Sequence, residues 1–367
     1  MRLGLDVRLT YYSRGGIAKY VRRLAAGLPE LAPEHAHLHF YRRTHMETFS
    51  PRARRVECWT PAHHRLETLA LAAELLPHRL DLFHSPDFIP PRFGARRRVI
   101  TVHDLAFLRY PQFLTPNSRR YYNGQIASAV RRAHAIAADS QATRDDLVEL
   151  LHVPPERITV IHLGLDPEFY PRPAEAVQAV LTRHGLAPGY VLFVGTFEPR
   201  KNVPGLLRGY ARLRARTADA PPLALAGLRG WLFEETMGLA RDLGLDAHLR
   251  FFEDFPSADL PEMYTGAGVF VLPSHYEGFG FPVLEAMGCG TPVVIADRSS
   301  LPEIAGDAAL KVDPDDAEAL AEALERALGD SAARAELRRR GLERAQAFTW
   351  EKTARETLAL YERVLMS

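Results

Sequence analysis

The 367-residue sequence holds only two cysteines, Cys58 and Cys289, far apart and without metal-ligand spacing. Their scarcity excludes a disulfide framework, leaves no thiol chemistry to argue and fits a reducing compartment. Long apolar runs are missing as well. Stretches such as Leu69 to Leu76 fall well short of a bilayer span, and no apolar leader precedes the strand-like run that starts at Leu3, so a cytoplasmic protein is expected. Net charge is nearly absent, and a formal +1 argues against a dedicated nucleic-acid binder. Lysine is scarce too: of 46 Lys and Arg residues only Lys19, Lys201, Lys311 and Lys352 are lysine. In that background Lys201 stands out, because a compact ammonium was kept where most cations are guanidinium.

What is present is enough apolar content, 47% of residues, for two domains with full cores. Strand-like runs at Leu3–Val7, His37–Tyr41, Leu82–His84, Val99–His103, Ala135–Ala138 and Ile158–Ile161 alternate with helical patterns, as in a doubly wound α/β sheet. The proline-punctuated segment Gly164–Pro173 reads as a linker. A second series comes at Tyr190–Val194, Leu223–Ala226, Leu249–Phe252, Val269–Leu272, Val293–Ala296 and Ala309–Val312, and helices are expected over Ala317–Leu328, Ala332–Phe348 and from Thr349 to Leu365. Arginine clusters at Arg52, Arg54 and Arg55, at Arg96 to Arg98, at Arg119 and Arg120 and at Arg131 and Arg132 all lie in the first half. They read as solvated faces, and a basic half also suits peripheral contact with an anionic membrane.

The most informative stretch runs from Pro273 to Thr291. Val269–Leu272 is a short apolar strand stopped by Pro273, and Pro282 suits the first turn of a helix that Gly288 and Gly290 end. Between them Ser274, Gly278, Phe279 and Gly280 form a turn whose glycines allow close backbone approach, and the helix start attracts a phosphate. Glu277 lies before the helix and Glu285 within it, two carboxylates suited to the hydroxyls of one ligand, vicinal diols above all. About 80 residues earlier, Tyr190–Val194 leads through Gly195 to Pro199-Arg200-Lys201-Asn202. Cations on a loop at a strand's carboxyl end sit where open α/β sheets bind ligands, and Arg200 with Lys201 would neutralise a diphosphate. Val99–His103 ends in His103 and Asp104, the second of which could simply cap the next segment. At the amino terminus Arg14-Gly15-Gly16 opens a helix with Ile17, Tyr20, Val21 and Leu24 on one face.

The pattern Glu277-x7-Glu285 within Glu-Gly-Phe-Gly-Phe-Pro-Val-Leu-Glu-Ala resembles the signature of retaining glycosyltransferases of family 4, and Pro199-Arg-Lys-Asn202, His103-Asp-x-x-Phe107 and Gly15-Gly16-Ile17 resemble further motifs of that family. The resemblance is to mannosyltransferase-like members. It implies the GT-B fold: two doubly wound Rossmann-like domains facing a central cleft, with residues 1–168 plus a returning helix 349–367 on the acceptor side and residues 169–348 binding the donor. It implies catalytic roles for His103, Glu277, Arg200 and Lys201, with Glu277 near the reacting carbon and Glu285 on the ribose. Donor contacts would come from Gly15, Gly16, Arg200, Lys201, Ser274, Glu277, Gly278, Phe279, Gly280 and Glu285. Some relatives carry Arg directly after the loop glycine where this chain has Thr196, which loads more charge neutralisation onto Arg200 and Lys201.

The implied partners are a nucleotide sugar, with no cofactor and no metal, and a glycan, glycolipid or lipid-linked acceptor. The form of the Pro-Arg-Lys-Asn loop leans toward GDP-mannose, with UDP-sugars open and the base expected near Ala226–Arg229 and Phe252–Phe255. The acceptor loops are expected at Tyr11–Gly16, Arg42–Val56 and Arg109–Asn123, without diagnostic chemistry. A sugar-nucleotide epimerase or hydrolase would call for more acid/base groups around the sugar. A non-catalytic nucleotide-sugar subunit would be expected to have lost His103 or Glu277, and both are present.

Overall fold

The computed structural model describes residues 1–12, 15–64, 66–113, 116–217, 219–230 and 233–366, with the backbone alone for residues 116–121. Arg14 and the side chains of Arg119 and Arg120 therefore lie outside the described residues. The chain divides into two compact units, Met1–Gly164 with Phe348–Ser367, and Leu165–Ala347.

The first unit is built on seven strands: β1 Arg2–Asp6, β2 Ala36–Arg42, β3 Arg54–Cys58, β4 Leu80–Ser85, β5 Ala95–Val102, β6 Ala135–Ala138 and β7 Ile158–Val160. Every neighbouring pair is parallel, in the order β3-β2-β1-β4-β5-β6-β7. The second unit has six: β8 Val191–Val194, β9 Leu223–Ala226, β10 Leu249–Phe252, β11 Val269–Leu272, β12 Val293–Ala296 and β13 Ala309–Val312. These too are parallel, in the order β10-β9-β8-β11-β12-β13. Strands β9, β11 and β12 are buried at every residue, which is why they read as unbroken apolar runs. In each sheet the strand order reverses once, between β1 and β4 and between β8 and β11, and ligands of open α/β sheets bind beyond the strand ends at such a reversal.

One strand departs from the sequence reading, which gave Arg42–Val56 to an acceptor loop. β3 pairs with β2 from Leu38↔Arg54 to Arg42↔Cys58. It is an edge strand that buries only Val56 and Cys58, so its charged positions mask the alternation. The arginines around it have partners in the same unit: Arg52 Nε is 3.2 Å from Glu30, and the Arg55 guanidinium lies 4.2 Å over the Tyr41 ring.

The division between the units falls after Gly164 and before Phe348, where the sequence reading put it after 168 and after 348. Gly164 lies directly against the backbone of Thr349 and Trp350, where a Cβ would collide, while Leu165 and Phe169 meet Gly288. The terminal helix Trp350–Met366 is fastened to the first unit by Thr353 Oγ1 donating to the His162 carbonyl at 2.8 Å and by Tyr361 Oη at 2.6 Å from His84 Nδ1. Among the described residues no helix is long and apolar enough to cross a membrane.

Candidate active site

In the second unit the loops that leave β8 and β11 flank the reversal of strand order. The first leads to a short turn, Pro199–Lys201, that precedes the helix Val203–Arg216. The second carries Ser274 and Glu277 to the helix Phe281–Gly288. They meet at Glu277. Its Oε1 accepts hydrogen bonds from Lys201 Nζ at 2.6 Å and Ser274 Oγ at 2.7 Å, and its Oε2 accepts one from Arg200 Nη1 at 2.8 Å. Burial alone would raise the Glu277 carboxyl, but the Lys201 and Arg200 charges outweigh it and hold the group at about 2. Burial pulls Lys201 below the usual ammonium range, with Glu277 opposing that shift.

The geometry changes how the roles divide. From the sequence, Arg200 and Lys201 face a diphosphate while Glu277 serves the sugar; the structure brings all three into one network. Lys201, its side chain only 9% exposed, underpins Glu277, whereas Arg200, at 26%, keeps a solvent-accessible edge while also bonding Glu198 Oε2 at 2.9 Å through Nε. The two loops are tied further by the His275 N–H donating to the Arg200 carbonyl at 2.8 Å.

The turn into the helix has its shape fixed from a third loop. Gly280 caps the helix at φ 113°, a conformation that favours glycine. Ser299, itself left-handed at φ 52°, accepts the Glu277 N–H at 2.9 Å, and the buried Ser300 hydroxyl lies 2.8 Å from the carbonyls of both Glu277 and Phe279. Sequence reasoning missed this serine pair. A serine before Leu-Pro reads as a helix start, and nothing in that pattern names a partner more than twenty residues away. Ser300→Ala is expected to lower kcat/KM by about tenfold, near the worth of one buried hydrogen bond, with threonine restoring most of it.

Glu285 is buried within the helix Phe281–Gly288, where its Oε2 accepts the Tyr264 hydroxyl at 3.0 Å. Phe279 is buried edge-to-face on Phe281, with ring centres 5.3 Å apart. At the ends of β9 and β10, where the sequence places a base, Arg229 Nε is 2.8 Å from Glu253 and its guanidinium lies 4.5 Å over Phe233.

In the first unit His103 lies just past the end of β5. Its Nδ1 is 2.6 Å from Asp139 Oδ2, beyond β6, and its Nε2 is 2.8 Å from the Pro86 carbonyl, beyond β4. Burial disfavours the charged ring, but the Asp139 carboxylate outweighs that and raises the imidazolium to about 9. With both nitrogens occupied the ring is a held positive charge and has no nitrogen left for proton transfer. The Tyr20 ring meets it edge-on at 5.2 Å. Asp104 caps the chain just after it, accepting the Ala106 N–H at 3.0 Å. Gly15 and Gly16 are exposed at the start of the helix Gly16–Leu31.

Two nucleotide-binding-type α/β units, one with a carboxylate held by two cations at its strand reversal, are the architecture of a GT-B glycosyltransferase, and the relatives agree. Residues 14–169 match the family described as Glycosyltransferase Family 4, and residues 183–344 match Glycosyl transferases group 1. The chain is 35% identical over 309 residues to the O-antigen chain mannosyltransferase B of Escherichia coli, covering 84% of this chain and 80% of that one. It is 31% identical over 277 residues to the serotype-specific mannosyltransferase WbdA of Escherichia coli, covering 74% of this chain but only 34% of that longer protein. Its fold is similar to that of the sucrose-phosphate synthase of Thermosynechococcus elongatus, with a TM-score of 0.78 at 24% identity, covering 100% of this chain and 99% of that one. The chain belongs to glycosyltransferase family 4.

Proposed function

We propose that the protein transfers mannose from GDP-mannose to a hydroxyl of a glycan, glycolipid or lipid-linked acceptor, with retention at the anomeric carbon and without a metal ion. The observation that carries this reading is the Glu277–Arg200–Lys201–Ser274 network at the strand reversal of the second unit. The name of the 35%-identical relative, an O-antigen chain mannosyltransferase, supports the sugar and the acceptor class.

In this reading the bond from the anomeric carbon to the diphosphate oxygen breaks and its electron pair leaves with the diphosphate. The acceptor oxygen bonds to the same face of the sugar, and its proton passes to the departing phosphate oxygen. No side-chain nucleophile is needed, and none of the residues named need act as a base. The exposed edge of Arg200, with the start of the helix at Gly280, stabilises the charge that develops on the diphosphate. Glu277, kept ionised by Lys201, takes a hydrogen bond from a sugar hydroxyl. Glu285 receives the ribose hydroxyls. In the first unit His103, held as an imidazolium, is the catalytic group that the family resemblance assigns there.

The test is nucleotide release and product analysis with GDP-mannose, UDP-glucose and UDP-N-acetylglucosamine in EDTA. The expected result is turnover of GDP-mannose alone and an α-linked product. Preference for a UDP-sugar, a β-linked product or abolition by EDTA would each overturn the corresponding part of the reading.

A further inference from the structure

The reversal of strand order that marks the donor site in the second unit has a counterpart in the first, between β1 and β4. The side chains gathered there take no part in the donor chemistry above. Arg8, just beyond β1, has no exposed surface, yet it is fully engaged with charge. Its Nε and Nη2 reach the two oxygens of Asp6 at 2.9 and 2.7 Å, Nη2 also reaches Glu67 Oε1 at 2.6 Å, and Nη1 donates to the Thr60 carbonyl at 2.9 Å. The second oxygen of Glu67 accepts the backbone N–H of His63 at 2.7 Å. His63 itself has a left-handed backbone at φ 61°, uncommon for a residue other than glycine. From that position the His63 ring reaches Asp87, just beyond β4, with Nε2 2.7 Å from Oδ2. Among the described residues the network is most exposed at His63 and Asp87, whose side chains are 35% and 20% exposed, against 12% for Asp6, 4% for Glu67 and 0% for Arg8.

We infer that His63 and Asp87 form a hydroxyl-binding subsite on the first unit that takes a neutral sugar of the acceptor. The charge balance selects the ligand class. Asp6, Glu67 and Asp87 face Arg8 and His63, and the neighbouring His103–Asp139 pair adds no net charge, so even with His63 protonated one negative charge is in excess, which disfavours phosphate or carboxylate and suits hydroxyl donors. Among the described residues each Asp87 oxygen has one partner, His63 for Oδ2 and the Phe88 N–H at 2.7 Å for Oδ1, and a carboxylate oxygen accepts more than one hydrogen bond. Asp87 also comes directly after Pro86, whose carbonyl holds His103, so a sugar on Asp87 lies beside the imidazolium assigned to the transfer. The subsite rests on the transferase reading for its role and on the first unit's own geometry for its existence.

The experiment is saturation-transfer NMR with methyl α-mannopyranoside on the full-length protein, Asp87→Asn and His63→Asn, with GDP-induced thermal stabilisation measured on the same samples. Asparagine tolerates the left-handed backbone at 63 but lacks the reach to Asp87. The expected result is a glycoside signal from the wild type that falls at least fivefold in both variants, while GDP stabilisation is unchanged. No signal from the wild type, or an undiminished signal in either folded variant, would overturn the subsite. Absence of GDP stabilisation with the glycoside signal intact would count instead against the donor reading and leave the subsite standing.

Discussion

Glu277→Gln is expected to abolish most transfer and to destabilise the second unit at the same time. The side chain is the common acceptor for Lys201, Arg200 and Ser274. Glutamine keeps the shape but takes away the carboxylate hydrogen-bonded to the buried Lys201 ammonium, and breaking a buried pair from one side costs about 3–5 kcal/mol. For a unit of this size that corresponds to a fall in Tm of roughly 10 °C. Loss of turnover on the order of a thousandfold is expected, as for removal of a preorganised electrostatic group. The two effects separate in the Glu277→Gln, Lys201→Met double variant. Removing both charges of a buried pair is often close to neutral, so stability should largely return while activity does not. Differential scanning calorimetry alongside nucleotide release reads both. Recovery of activity with stability would mean that the network only holds the fold.

Asp139→Asn carries the second large effect, through pH. His103 is held as an imidazolium to about 9 because the Asp139 carboxylate outweighs burial. A histidine raised from 6.5 contributes stability that is fully present below 6.5 and lost as pH rises through the folded value, here between pH 6.5 and 9. Asparagine can still donate to Nδ1 of a neutral ring whose Nε2–H bonds Pro86, so the fold should survive while the charge does not. The ring's midpoint is then expected to fall well below 9, since burial is opposed only by the Asp87 charge and the Pro86 carbonyl, and kcat at pH 7.5 should fall by roughly a hundredfold. Proton NMR titration of His103 tracks the midpoint directly. A midpoint unchanged near 9 would show that Asp139 is not what holds the charge.

Much of this is legible in the sequence alone. The second sheet stands out because its strands are buried on both faces and read as unbroken apolar runs, and Pro282 and Gly280 mark the helix start. Motifs that belong to one short segment, such as Glu277-x7-Glu285, survive reading in one dimension. The hidden part depends on pairing across the fold. β3 hides because an edge strand with Arg54 and Glu57 turned outward looks like a charged loop. The tie from Ser299 and Ser300 to Glu277 spans more than twenty residues and uses hydroxyls and backbone groups that any serine offers. The joining of Glu277 to Lys201 spans 76 residues, so their shared network appears only when β8 and β11 lie side by side. Arg8, in a stretch with no motif, becomes informative only because it is buried to the last atom among carboxylates.

The central claim is that the second unit holds a guanosine diphosphate sugar on Glu285 and the Glu277 network. Its most direct test is thermal stabilisation of the wild type and of Glu285→Ala by GDP, UDP, ADP and GDP-mannose in EDTA. Stabilisation by GDP and GDP-mannose is predicted, with little by UDP or ADP, and with loss of the effect in Glu285→Ala. Stabilisation by UDP in preference to GDP, or an equal shift in the variant, would contradict it.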